Sequence, residues 1–331
     1  MIAQLNKEYI KTRPSKTISR LVSYFFFEGR PLTTKGQWIN PFLFFAYRLI
    51  CFLPQIKKVK SPVFIVGTGR SGSTLLGILL SMHKQVAYLN EPKAVWHFAY
   101  EKEDLIGNFT TGIAYYKLND AHVTSKTISV MNKLYGFYLA SVFSKQVIDK
   151  YPELVFRIDY LKKIFPDAKV LFLHRNGFQT AASTAQWIED NREQKGNDIH
   201  DWWGLNNRKW NLLIEQVVPL SKLLSPHVEK VKTINSQVEK AAVEWIVTME
   251  EGISFLKKYP ENVMPVKYEE LVSLPETALS KVFSFCNLEY DVNCIQYAKL
   301  VTKQGSKNKM EPELAPYLKE IIFSLMKELG Y

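Results

Sequence analysis

Between Val63 and Leu76 the chain passes from a short apolar run through a glycine-bearing loop into a second apolar segment, and few folds accommodate that order. Pro62-Val63-Phe64-Ile65-Val66 is continuously β-branched and aromatic, which predicts a strand buried on both faces of a parallel sheet. Residues 74–82 predict a helix. The loop between them reads Gly67-Thr68-Gly69-Arg70-Ser71-Gly72-Ser73-Thr74. Amides of such a loop point inward, and the helix that follows adds the positive end of its dipole, so the unit suits a nucleotide phosphate. Gly67, Gly72 and Thr74 fit the P-loop pattern G-x-x-x-x-G-K-[ST], but Ser73 stands where the lysine belongs. That lysine reaches the β- and γ-phosphates of a triphosphate. Here a cation, Arg70, sits earlier in the loop, which points to a 5′-phosphate bearing a further anionic group and away from Mg-ATP.

The rest of the chain alternates strands with helices. Residues 86–89, 168–174 and 263–268 predict strands; 122–149, 177–190, 241–259, 275–286 and 314–329 predict helices. The expected fold is α/β, a mainly parallel central sheet flanked by helices. With 331 residues and 47% hydrophobic content, one large domain over residues 61–331 has a proper core. Residues 191–240 are polar and hold Trp202, Trp203 and Trp210, as expected of an insertion beside an acceptor cleft. Three cysteines without zinc spacing predict a reducing compartment and no metal site.

Residues 1–60 differ from the remainder. They carry eleven Lys and Arg against Glu8 and Glu28, nine of the net charge of +11, and many aromatics. Asn40 and Pro41 predict the N-cap and first turn of an almost wholly apolar helix that Pro54 stops near Leu53. About 13 residues cannot cross a bilayer, which needs about 20. A helix packed on the main domain and a peripheral membrane anchor both remain open. Residues 1–20 are polar and basic, so no secretory signal is expected. A cytoplasmic location, at the inner face of the cytoplasmic membrane, follows as an expectation. No nucleic-acid partner is expected.

A second motif supports the first. LFLHRNGFQTAAS places Arg175 at a strand end and Ser183 eight residues on, a guanidinium and a hydroxyl suited to one phosphate. VGTGRSGSTLL and this motif, in this order, resemble the sulfotransferases that use 3′-phosphoadenosine-5′-phosphosulfate (PAPS) and release its desulfated product PAP, in the bacterial and tyrosylprotein-type branch. KYPELVFRIDYL, with Tyr151 in place of the usual Thr, and VKYEELVSLPETALSKVFSFCNL are similar to further family segments. The resemblance implies that Gly69, Arg70, Ser71, Gly72, Ser73 and Thr74 hold the 5′-phosphosulfate and that Arg175 and Ser183 hold the 3′-phosphate. It extends to a basic loop at Lys303, Gly305, Ser306 and Lys307.

Sulfuryl transfer to a hydroxyl needs a base and fixed cations, and no metal. The family's Lys-Thr-His motif is missing. The resemblance implies Glu91, in YLNEPKAVW, as the general base, with Arg70 steadying the transferred group and Lys150 at the bridging oxygen. A capping or salt-bridging Glu91 and a solvated Lys150 are the plainer alternatives. His83 is a weaker base candidate. Trp187, Trp202 and Trp203 suit sugar stacking or core packing. The expected acceptor is a carbohydrate, glycolipid or similar hydroxyl compound. A P-loop small-molecule kinase and a non-catalytic nucleotide-binding membrane scaffold are the alternatives.

Overall fold

The structure, a computed structural model, describes residues 2–30, 36–302 and 311–331. Its main sheet contains β1 (Val63–Gly67), β2 (Val86–Asn90), β3 (Gln146–Lys150), β4 (Lys169–His174) and, late in the chain, β8 (Val263–Lys267). The order is β2-β3-β1-β4-β8, parallel throughout. A small antiparallel sheet of β5 (Glu193–Lys195), β6 (Asp198–Asp201) and β7 (Gly204–Leu205) lies within the polar segment. The helices are α1 (Lys7–Thr12), α2 (Pro14–Phe26), α3 (Asn40–Phe52), α4 (Ser73–Ser81), α5 (Lys93–Ala99), α6 (Ser125–Ser141), α7 (Ile158–Ile164) and α8 (Gly177–Asn191). After them come α9 (Arg208–Gln216), α10 (Val228–Lys232), α11 (Gln237–Lys258), α12 (Tyr268–Ser273), α13 (Pro275–Cys286), α14 (Val292–Thr302) and α15 (Pro316–Glu328).

Alternation along each strand feeds two cores. Phe64 and Val66 join the layer formed with Met131 and Leu134 of α6 and Trp245 of α11. Val63 and Ile65 join the opposite layer with Leu76 and Leu79 of α4 and Val282 of α13. This covering on both faces explains the unbroken apolar reading of β1.

The helix expected over 122–149 is in fact α6 followed by a turn and β3, so the sequence reading missed a central strand. Gln146–Lys150 is short and carries Asp149, a residue that disfavours strands. Tertiary contacts resolve the conflict: Asp149 accepts hydrogen bonds from Trp96 Nε1 at 2.8 Å and from the Tyr135 hydroxyl at 2.5 Å. Burial pushes its carboxyl up to about 7, against those two bonds.

The N-terminal helices close one edge of the sheet. β2 is an edge strand, and an open edge invites pairing with another chain. Lys16 Nζ donates to the Val86 carbonyl at 2.7 Å and Arg20 to the Tyr88 carbonyl at 3.2 Å, while Glu28 accepts from the Asn90 amide at 3.1 Å. Arg13 grips Asp291 with both guanidinium nitrogens, at 2.6 and 2.7 Å. Several of the basic residues that make this segment cationic therefore bind the protein itself. Asn40 is not the N-cap expected of it: Ile39 takes that position, and the Asn40 side chain bonds the backbone N–H and C=O of Arg30.

Candidate active site

The site lies at the carboxyl end of the sheet, where the chain leaves β1 toward one edge and later returns on its other side as β4. Crevices at such switch points are the usual ligand sites of parallel sheets. Parallel register brings the ends together. Gly67 pairs with Leu173, which sets the loop beside Arg175, and Asn90 pairs with Lys150, which sets Glu91 beside Lys150.

The loop has the form of an anion cradle. Gly72 has φ of 98°, and a Cβ there would stand 2.3 Å from the Tyr268 ring, so only glycine fits. Among the described residues no side chain caps α4, which leaves its first amides for a ligand. Ser73 is buried at the helix start, while Thr74 is exposed. Ser71 serves the loop itself, since its hydroxyl donates to the Thr68 carbonyl at 2.5 Å. The Thr68 hydroxyl is buried and has no hydrogen-bond partner among the described residues.

Arg70 adopts φ of 62°, unusual for a side chain of its size. Partial burial and the neighbouring Arg175 press its guanidinium pKa downward. Arg175 donates to the Arg70 carbonyl at 3.3 Å and to Gln179 at 3.2 Å, and its guanidinium lies 4.5 Å over the Tyr268 ring. The two motifs, far apart in sequence, thus place two cations together, which favours an anion between them. Ser183 is half-buried on α8. Its spacing of four from Gln179 and from Trp187 puts the three on one helix face.

Glu91 also has a positive φ, 50°, and its amide donates to the Lys150 carbonyl at 2.7 Å. Its carboxylate meets Lys150 Nζ at 2.5 Å and Lys93 Nζ at 3.2 Å. Burial opposes ionisation, but the two ammonium groups outweigh it and hold the Glu91 carboxyl below the ordinary glutamate value. The side chain of Lys150 is 2% exposed and that of Glu91 34% exposed, so the solvated-lysine alternative fails. Glu91 forms the salt bridge of its plainer reading, yet it also lines a cavity of about 260 Å³ together with Arg70, Ser73, Thr74, Trp187 and Trp202.

The segment after α8 closes over this cavity. The Trp202 ring packs against Gly69, where an added Cβ would lie 2.1 Å from it, and meets Trp187 edge-on at 5.4 Å. Trp202 Nε1 donates to Glu244 at 2.7 Å, and Lys209 joins Glu244 at 2.6 Å and Glu153 at 3.0 Å. Burial opposes ionisation of Glu153, but Lys209 and Lys93 hold its carboxyl well below the ordinary value. Trp203 is core: it is fully buried and bonds Gln237. His83, at the far end of α4, is buried against Phe283 and bonds the Glu289 carbonyl at 2.7 Å, away from the cavity.

Lys93, Lys209, Glu153 and Tyr268 were missed in the sequence. They come from four separate elements, and no spacing connects them. Tyr151 does not reach the cavity as a threonine substitute would; its hydroxyl donates to Glu103 at 3.1 Å. Lys303, Gly305, Ser306 and Lys307 lie outside the described residues. Among the described residues, no group of three or more His, Cys, Asp or Glu is placed to hold a metal ion.

Fold and loop define an α/β protein with a glycine-bearing turn of anion-cradle form at the carboxyl end of a parallel sheet. The sulfotransferase family model matches residues 62–226. The chain is 23% identical over 279 residues to protein-tyrosine sulfotransferase A of Caenorhabditis elegans, covering 81% of this chain and 61% of that protein. It is 24% identical over 277 residues to protein-tyrosine sulfotransferase 1 of Danio rerio, covering 81% and 65%. The chain therefore spans less than two thirds of the length of these relatives. The sulfotransferase domain of the Synechococcus PCC 7002 olefin synthase shares the fold, with a TM-score of 0.50 at 15% identity over 84% of this chain and 97% of that domain. This chain belongs to the sulfotransferase family.

Proposed function

We propose that this protein moves a sulfuryl group from PAPS to a hydroxyl of a carbohydrate, glycolipid or similar acceptor by in-line displacement, with Glu91 as general base. One observation carries this: Arg70 of the glycine loop and Glu91, which Lys150 holds from behind, line one cavity beside the start of α4. The acceptor oxygen bonds to sulfur as the bond from sulfur to the bridging oxygen of the 5′-phosphosulfate breaks, and PAP leaves. The acceptor proton passes to Glu91. Arg70 faces the sulfonate oxygens, Lys150 donates to the bridging oxygen, and Ser73, Thr74 and the loop amides of Gly69, Ser71 and Gly72 hold the 5′-phosphate. Arg175 and Ser183 bind the 3′-phosphate; Lys303, Gly305, Ser306 and Lys307 extend that clamp.

Residues 61–331 form the transferase domain in this reading, and residues 191–240 an insertion over the acceptor. Trp187 and Trp202, meeting edge-on at the cavity, support a sugar ring, and Asp201 at its rim supports polar acceptor groups. Peripheral contact of residues 1–60 with the inner face of the cytoplasmic membrane would bring the enzyme to a lipid-linked or polysaccharide acceptor. The relatives are protein-tyrosine sulfotransferases by name, so a tyrosine acceptor is the second reading. A labelled-PAPS screen over sugars, glycolipids and tyrosine peptides separates the two. Transfer to none of them, with PAP bound, would reject the proposal in favour of a non-catalytic nucleotide binder.

A further inference from the structure

The side of α3 turned away from the core is apolar, and the chemistry above makes no use of it. Among the described residues, eleven of the nineteen large apolar side chains left exposed precede residue 61. Six of them, Trp38, Phe42, Phe45, Leu49, Phe52 and Ile56, recur at alternating steps of four and three. Four lie within α3, and their exposure runs from 52% at Leu49 to 85% at Phe52. The other face of the same helix buries Leu43 and Tyr47. No helix among the described residues is long and apolar enough to cross a membrane. A helix apolar on both sides, docked by one and bare on the other, suits the plane of a lipid interface.

Charge decides the kind of surface. Arg48 of α3 opens onto a cavity of about 500 Å³ that Lys102 and Lys126 also line, against the single carboxylate of Glu101. Beyond the helix, Lys58 and Lys60 are exposed. In a twofold pairing of two copies through the stripe, the same cation-flanked patch would meet itself, which like charge disfavours. Anionic headgroups instead complement all of these cations.

We propose that α3 lies in the interface of an anionic lipid bilayer, with Phe42, Phe45, Leu49 and Phe52 among the acyl chains and a lipid phosphate in the cavity of Arg48, Lys102 and Lys126. This docking gives the membrane contact inferred above a defined face, and its test needs no turnover. The full chain is floated with vesicles of phosphatidylglycerol and phosphatidylcholine, and with phosphatidylcholine alone. Strong partitioning is expected only with the anionic vesicles. Replacing Arg48, Lys102 and Lys126 together by alanine should weaken it on the order of a hundredfold, about fivefold per cation. Each of Phe42→Ser, Phe45→Ser and Phe52→Ser should weaken it about tenfold. These side chains are exposed, so thermal unfolding should stay as in the parent. Equal flotation of parent and both variant sets, or equal binding to phosphatidylcholine alone, would overturn the proposal. So would a concentration-dependent dimer, seen by sedimentation without flotation and lost in the Phe variants; that result would assign the stripe to a second copy.

Discussion

Two ion pairs flank the carboxyl end of β2, and they differ in what surrounds them. Arg20 and Glu28 meet at 2.8 Å with both side chains nearly inaccessible, and Ala3, Ser23, Tyr88 and Asn90 supply further hydrogen bonds. Lys150 and Glu91 meet at 2.5 Å, but Glu91 keeps a third of its side chain open to a cavity and sits on backbone with positive φ. The first pair is closed on itself and holds the strand end. The second is unfinished: its carboxylate can still accept a proton from something outside. Charge pairing therefore does not mark a site; an open face and strained backbone beside it do.

Breaking the open pair should have the largest effect. Glu91→Gln is predicted to lower turnover about a thousandfold while PAP affinity by calorimetry stays close to the parent's. Parent-like turnover would remove Glu91 from the role of base. The same carboxyl, held low by Lys150 and Lys93, stays ionised through neutral pH, so the acid limb of kcat/KM should fall below about 4.3, the ordinary glutamate value. A limb near neutrality would contradict this.

Breaking the closed pair should act on stability instead. Arg20→Met leaves Glu28 buried without its cation and is predicted to cost about 3 kcal/mol in urea unfolding, with turnover per folded molecule retained. Loss of turnover without loss of stability would erase the distinction between the pairs. Between these extremes, Arg175→Ala should weaken PAP binding by about 2 kcal/mol, the size of a charged hydrogen bond; unchanged affinity would reject the 3′-phosphate role. The smallest effect belongs to Arg13. Burial opposes ionisation of Asp291, but Arg13 and the amides of Lys84 and Cys294 bring its carboxyl down to about 2. A folded-state value below the unfolded one adds stability above about 4, lost as pH falls toward 2. Arg13→Ala should flatten that acid limb of the stability curve, and an unaltered limb would show that the clamp does not titrate.

Short-range features were the readable ones. The strand, loop and first turn of α4 follow one another directly, so local preferences and the site agree. Pro275–Cys286 was bounded correctly because Pro at the first position and Asn287 in left-handed backbone after the end are local signals. β3 was not readable, because Asp149 belongs in a buried strand only when Trp96 and Tyr135 receive it. The basic charge of residues 1–60 suggested either packing or a membrane. The structure divides that charge: Arg13, Lys16 and Arg20 hold the sheet edge and Asp291, whereas Arg48 faces outward.

By itself the sequence determined the succession of strand, glycine loop and helix, the missing P-loop lysine, the spacing of Arg175 and Ser183, and the α/β class. Each rests on neighbouring residues or on a spacing that one strand–helix turn imposes. Only the tertiary structure decided that Lys150 is buried against Glu91, that Tyr268 lies beneath Arg175, and that Trp202 covers Gly69. Those contacts join residues up to 133 apart, from Gly69 to Trp202, and are set by the parallel register of the main sheet and by the packing of the segment after α8, which no local pattern encodes.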